Sequence, residues 1–278
     1  MDRKRRAFLL ALPASLALLI FFIVPMVYIL VKTIATNGFQ DFVDFFTDPF
    51  YLDILWTTIR VSLISTFVSL LLGYPTAYFM ARTKSRMKKV MIIIILFPFL
   101  VSAVVRSYGW MVLLGTNGLI NQLLLGIGII SEPLKMLNTE FAVIVGMIHL
   151  LIPYMVLALL GVLQSIDPNV EYAAYSLGAN PLQTFAKVVF PLSTPGIISG
   201  CVLVFTMSMT SYVTPKLLGG SKFRMMATMV VQEINVNFDW GAAAAISYIL
   251  LAVILVIQLL VTLSTANYMK RMGGGKNA

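Results

Sequence analysis

Few side chains in this sequence are placed to do chemistry. Its only histidine, His149, and its only cysteine, Cys201, both lie inside apolar runs, and neither has a second ligand or a base at a spacing that would make a metal centre or an activated nucleophile. No two carboxylates are spaced for general acid and base work. No stretch fits G-x-x-x-x-G-K-[ST], so the GGSK at 219 to 222 is not a phosphate cradle. What remains is recognition by charge and hydrogen bond. Arg60 and Arg106 fall near the outer ends of apolar runs, where a guanidinium either faces a bundle interior or snorkels to the interface. His149 reads most simply as a hydrogen-bond partner between helices, and Tyr108 and Trp110 as belt aromatics or the lining of a path. Nothing here calls for a metal or a cofactor, and the residues point away from an enzyme.

The elements that hold these residues must be membrane helices. Hydrophobic residues make up 59% of 278 positions and charged ones 11%, with a mean hydropathy of +0.93, well outside the balance of soluble domains. The net charge of +9 is carried by short clusters at the ends of apolar runs, which orient a chain in lipid rather than bind nucleic acid. A span needs about 20 apolar residues. Six stretches qualify, near 8–32, 57–81, 90–114, 140–163, 195–215 and 241–268. The first run follows a basic head but is too long for the core of a cleaved leader, and is expected as a retained span. Pro25, Gly73 with Pro75, Pro98 and Pro153 fall inside spans and predict kinks that neighbouring helices re-satisfy. The expectation is an all-α, multi-pass membrane protein with six transmembrane helices.

Lys and Arg set the orientation. Thirteen of them fall on one set of loops: Arg3, Lys4, Arg5, Arg6, Arg82, Lys84, Arg86, Lys88, Lys89, Lys187, Lys270, Arg271 and Lys276. Only four, Lys135, Lys216, Lys222 and Arg224, fall on the other. Both termini are therefore expected in the cytoplasm, as is the loop from about 164 to 190 between spans four and five. That loop contains EYAAYSLGAN. Val170, Ala173, Ala174 and Leu177 stand at i, i+3, i+4 and i+7, the stripe of an amphipathic helix. Asp167 with Pro168 starts the helix and Gly178 stops it. Asn180 and Pro181 start a second helix, LQTFAKVVF, expected to end before Pro191. The small side chains of the first helix suit the close approach of a partner; the alternative is a connector packed on the protein's own helix ends.

AAYSLGANPLQTFAKVVFPL resembles the EAA loop of importer-type (type I) ABC transporter permeases. Ala173 and Ala174 match its two alanines, Gly178 its glycine, Val188 its aliphatic position and Pro191 its proline. Tyr172 stands in the slot of the usual glutamate, with Glu171 one residue earlier, and Phe190 replaces the leucine. A shift of one residue turns a side chain by about 100° around a helix. VRSYGWMVLLGTNGLIN, PGIISGCVLV and LLGGSK are similar to the first permease subunits of spermidine/putrescine importers, and parts of the pattern are shared with permeases for opines, iron, sulfate, thiamine and phosphonates.

The resemblance implies a permease fold over the whole chain as one transmembrane domain, in a bacterial inner membrane. It implies a coupling loop carrying Glu171, Tyr172, Ala173, Ala174, Leu177, Gly178 and Pro191 that docks on a cytoplasmic ABC ATPase dimer. A second homologous permease subunit and an extracytoplasmic solute-binding protein would complete the importer. Arg106, Tyr108, Trp110, Tyr212 and Glu233 are candidates for the translocation path of a small solute. A polyamine suits the resemblance and wants carboxylates and aromatic faces. The sequence offers Glu233 and Asp239 in an outer loop and Asp53 and Glu140 at span ends. The two arginines favour instead an opine, amino-acid-like, phosphonate or other anionic solute. A secondary transporter or channel would show inverted repeats and charge near the midplane, and neither is evident.

Overall fold

The computed structural model describes residues 12–272 apart from 14, 84 and 85. Residues 8–11 of the expected first span, the basic positions 3–6, and Lys84 and Lys276 lie outside the described residues. In chain order the helices are α1 (Ser15–Thr36, with a π-helical turn at Leu19–Ile23), α2 (Gln40–Thr47), α3 (Pro49–Arg82), α4 (Met87–Leu100), α5 (Ala103–Leu114) and α6 (Leu119–Gly126). They continue as α7 (Glu140–Ser165), α8 (Asn169–Ser176), α9 (Pro181–Met209), α10 (Val213–Leu218), α11 (Met226–Gln232) and α12 (Trp240–Met272). Five of these, α1, α3, α7, α9 and α12, are long and apolar enough to cross a membrane, and the bent pair formed by α4 with α5 and α6 makes up to six.

The third span is thus not the single helix expected over 90–114. The chain turns by 99° between α4 and the segment that follows. Pro98 takes the last turn of α4, Val101 is extended, and the Ser102 hydroxyl accepts from the Val105 N–H to cap α5. The hydropathy is continuous through the break, which hid it. The fifth span differs in the opposite sense. The helix that begins at Pro181 does not stop before Pro191 but continues to Met209. A π-helical turn at Phe185–Val189 precedes the proline. In it the Phe190 N–H bonds to the Phe185 carbonyl, so the register is already shifted when the N–H of Pro191 is lost. At its other end this span stops at Met209 rather than 215, and α10 follows as a separate short helix.

The chain divides into two compact units, residues 1–52 with 229–251, and residues 53–228 with 252–278. In the first, the Tyr248 hydroxyl donates to the Met26 carbonyl, tying α12 to α1. Phe45 of α2 is buried and stacks on Tyr51 with centroids 5.4 Å apart. A cavity of about 1120 Å³ opens between α1 and the residues from Ile234 to Leu251, lined largely by apolar side chains such as Phe22, Met26 and Trp240.

In the second unit α9 lies along α7, and the reason is glycine. A Cβ added at Gly196 would lie 2.8 Å from the Cβ of Val162, and one at Gly200 2.9 Å from the Met155 sulfur. Gly196 and Gly200 form G-x-x-x-G, the spacing that lets apolar helices touch backbone to side chain in lipid. α3 contributes a buried stripe of Thr58, Ser62, Ser65, Thr66 and Ser69 followed by Gly73 and Ala77. Small hydroxyl side chains of this kind allow close helix packing without bulk. The Tyr74 hydroxyl meets the Ser193 hydroxyl at 2.7 Å, joining α3 to α9.

Candidate functional site

The loop between α7 and α9 takes the form its sequence dictates. Asp167 accepts from the Asn169 N–H at 2.9 Å and starts α8. Gly178, at φ +86°, ends it. The Ala179 N–H bonds to the Ala174 carbonyl and the Gly178 N–H to the Tyr175 carbonyl, the paired closure that requires a left-handed residue between them. Asn180 and Gln183 then exchange side-chain and backbone hydrogen bonds in a capping box, with Pro181 in the first turn of α9.

The exposures on α8 differ from those of the connector alternative, in which the stripe would pack on the protein's own helix ends. The stripe of Val170, Ala173, Ala174 and Leu177 is not folded onto the protein: Val170, Ala173 and Leu177 are exposed, Leu177 at 89%. Tyr172, in the glutamate slot of the motif, is 64% exposed. The one buried side chain of α8 is Glu171, at 7%. One of its oxygens accepts from the Arg82 Nε at 2.6 Å and the other from the Tyr78 hydroxyl at 2.9 Å. Both partners belong to the last turns of α3. Arg82 also donates through Nη1 to the carbonyls of Leu163 and Ile166 at the end of α7, at 3.1 and 3.2 Å. Those are orphan carbonyls at a helix C-terminus, where a cation is favoured. A helix of two turns has little stability of its own, so α8 depends on this anchorage. Glu171 is therefore turned away from the open face on which Tyr172 stands. Pro191 sits in the first turn of the helix segment that follows the π-helical turn of α9.

At the other end of α7 its first residue, Glu140, pairs with Arg60, about three turns into α3. Arg60 is thus paired with an acid, with its side chain 45% exposed. Arg106 of α5 donates to the Pro98 carbonyl at 2.7 Å and closes the break in the third span. Trp110, one turn along α5, donates through its indole N–H to His149 of α7 at 3.0 Å, so His149 does bridge two helices. Tyr108 is exposed. Tyr212 immediately precedes α10, and α10 packs on α5, which brings the segments of Tyr212, Arg106, Tyr108 and Trp110 together.

Glu233, in the first unit, is 5% exposed and begins a π-helical turn after α11; its carboxylate accepts from the Asn237 amide at 2.7 Å. None of these path candidates lines the cavity beside α1. The inward-facing Glu171 and the Arg106–Pro98 closure were missed by sequence reasoning. The first joins residues 89 positions apart, and no local pattern announces it.

Residues 65–270 match the family described as binding-protein-dependent transport system inner membrane component. The chain is 33% identical over 239 residues to the spermidine/putrescine transport system permease protein PotB of Haemophilus influenzae, covering 83% of this chain and 84% of that one. It is 36% identical over 215 residues to the protein of the same name from Escherichia coli, covering 77% and 78%. Among solved structures it resembles a chain of the bacterial alginate ABC transporter in complex with alginate pentasaccharide-bound periplasmic protein, with a TM-score of 0.78 at 20% identity, covering 99% of this chain and 97% of that one. At that identity the likeness is one of fold.

Proposed function

Because the chain belongs to the family of binding-protein-dependent transport system inner membrane components, we propose that this multi-pass inner-membrane permease subunit imports a polyamine, spermidine or putrescine, with ATP hydrolysed by a separate subunit. The observation that carries the solute assignment is the 33% and 36% identity to two spermidine/putrescine permeases over most of both chains. The electrostatics support it. The two arginines that favoured an anionic solute are engaged, Arg60 with Glu140 and Arg106 with the Pro98 carbonyl. Glu233 is a buried carboxylate suited to an ammonium group, and Tyr108, Trp110 and Tyr212 offer aromatic faces. The whole chain acts as one permease domain beside a second, homologous permease subunit, and an extracytoplasmic binding protein delivers the solute. Calorimetry of that binding protein with spermidine and putrescine, against opines and phosphonates as competitors, tests the solute: tight binding of an anion and none of a polyamine would refute it.

The coupling function is proposed for α8 and the turn after it. Tyr172, Ala173, Leu177 and Gly178 lie on an open surface, with Ala174 half-buried behind them, and this surface is the proposed contact with a cleft in an ATPase dimer. At φ +86° any residue with a side chain is strained at position 178. Gly178→Asp is expected to leave the chain in the membrane and to abolish copurification of the ATPase subunit. Normal recovery of that subunit with intact ATP-driven uptake would refute the docking role.

A further inference from the structure

We propose that Arg82, Glu171 and Tyr78 form a rigid joint through which motion of α8 is delivered to α3 and α7, so that Glu171 is a positioning residue inside the permease rather than part of its docking face. This rests on the reading of α8 as the ATPase contact.

The geometry has three parts. First, the covalent links of α8 are weak transmitters. Ile166, Asp167 and Pro168 separate it from α7, and a left-handed glycine turn separates it from α9. Rotation in either connection would let α8 move without its neighbours.

Second, α8 exposes nearly all of its side chains and buries only Glu171. The side-chain grip on the rest of the protein is therefore concentrated at one carboxylate, and both oxygens of that carboxylate are used, one by Arg82 and one by Tyr78.

Third, the guanidinium that holds Glu171 also holds the last carbonyls of α7, and it sits in the final turn of α3. One planar, always charged group thus fixes three helix ends at once, and its fork geometry constrains direction as well as distance. Tyr78 extends the joint. Its ring lies 5.9 Å beneath the Arg82 guanidinium carbon and packs edge-on against Phe185 in the π-helical turn of α9, with centroids 5.8 Å apart.

The pair is shielded, with the Arg82 side chain 19% exposed and that of Glu171 9%, so water competes little for either partner. A push on the open face of α8 then moves the cytoplasmic ends of α3 and α7 as one body. The displacement of the usual glutamate has a physical reading in these terms: the acid has turned from the docking face to the joint, and a tyrosine has taken its place outside.

The test uses the complete transporter in proteoliposomes and reads two quantities for each permease variant: recovery of the ATPase subunit on copurification, and solute taken up per ATP hydrolysed. Glu171→Gln keeps the shape and removes the charge. It is expected to retain ATPase recovery within about twofold while uptake per ATP falls about tenfold or more, in line with losing a charge-assisted contact. Arg82→Lys, which keeps the charge but cannot reach all partners, is expected to fall between Glu171→Gln and the unaltered protein. The exchange of the two, Glu171→Arg with Arg82→Glu, is expected to recover part of the ratio lost in Glu171→Gln.

An unchanged ratio in Glu171→Gln overturns the joint, as does loss of ATPase recovery with an unchanged ratio for the complex that remains, which would place Glu171 on the docking face. If Glu171→Gln does not accumulate in the membrane, Tyr78→Phe removes only one hydroxyl donor, and an unaltered ratio there overturns the proposal. Failure of the docking reading itself is distinguished by Gly178→Asp: if that variant recovers the ATPase and transports normally, α8 is not the contact at all.

Discussion

Arg106 illustrates how a charged residue in a span can be structural without being idle. Its guanidinium lies against the Pro98 carbonyl, eight residues back and across the bend between α4 and α5. A carbonyl at the end of a helix in an apolar setting is costly to leave unpaired, and a charged donor satisfies it more strongly than a neutral one. Replacing Arg106 by Met is expected to destabilise the detergent-solubilised protein by about 1.5–3 kcal/mol, the usual range for a hydrogen bond to a charged group. Arg106→Lys should recover part of that. Thermal unfolding measured beside the KM for solute separates this from a role in the path: a residue acting only on solute would shift KM and leave the melting temperature alone. The type and position of Arg106 were legible in the sequence, and so was the pairing capacity of His149. Their partners were not. Pro98, Trp110 and, for Glu171, Arg82 are chosen by tertiary packing, and periodicity along one helix contains no information on which group of another helix it will meet.

Elements were legible where one local rule decided them. Hydropathy located the spans, and the start signals at Asp167 and Asn180 and the stop at Gly178 were read correctly because each is local chemistry. The misreadings arose where two local rules competed. Pro191 signals a stop, yet a π-helical turn carries α9 through it. The apolar run from 90 to 114 signals one helix, yet Pro98 and the Ser102 cap divide it. The glycines of α9 were seen only as part of a resemblance, and the structure gives them a packing role that can be measured. Gly196 faces the β-branched carbon of Val162, whose position no rotation about χ1 can change. Gly200 faces the sulfur of Met155, on a flexible side chain that can move aside. Gly196→Ala is therefore expected to cost about 1–3 kcal/mol, more than Gly200→Ala, and adding Val162→Ala, which removes the methyls 3.0 and 3.3 Å from the added carbon but keeps the Cβ at 2.8 Å, should restore only the smaller part of the loss. Equal costs in thermal scans of the two single variants would show that the α7–α9 contact does not control stability there.

For the molecule as a whole the deciding quantity is sidedness, and two ion pairs of the second unit mark it. Arg60 and Arg82 stand 22 residues apart on α3, 82 less 60, which is about 33 Å at 1.5 Å per residue, slightly more than the hydrocarbon thickness of a bilayer. Each pairs with an acid on the segment from α7 to α8, Glu140 at one end and Glu171 at the other. Each pair can thus sit near an interface, on opposite sides, while the residues between face lipid or the bundle. The excess of Lys and Arg at the Arg82 end assigns that end to the cytoplasm. In a Cys201→Ser background, Leu177→Cys and Ser131→Cys place single thiols on exposed positions of α8 and of the loop between α6 and α7. An impermeant maleimide applied to intact cells is expected to label the cysteine at 131 and to reach that at 177 only after lysis. The reverse pattern would put α8 outside, beyond reach of any nucleotide-hydrolysing subunit, and both the docking of α8 and the joint behind it would fall together.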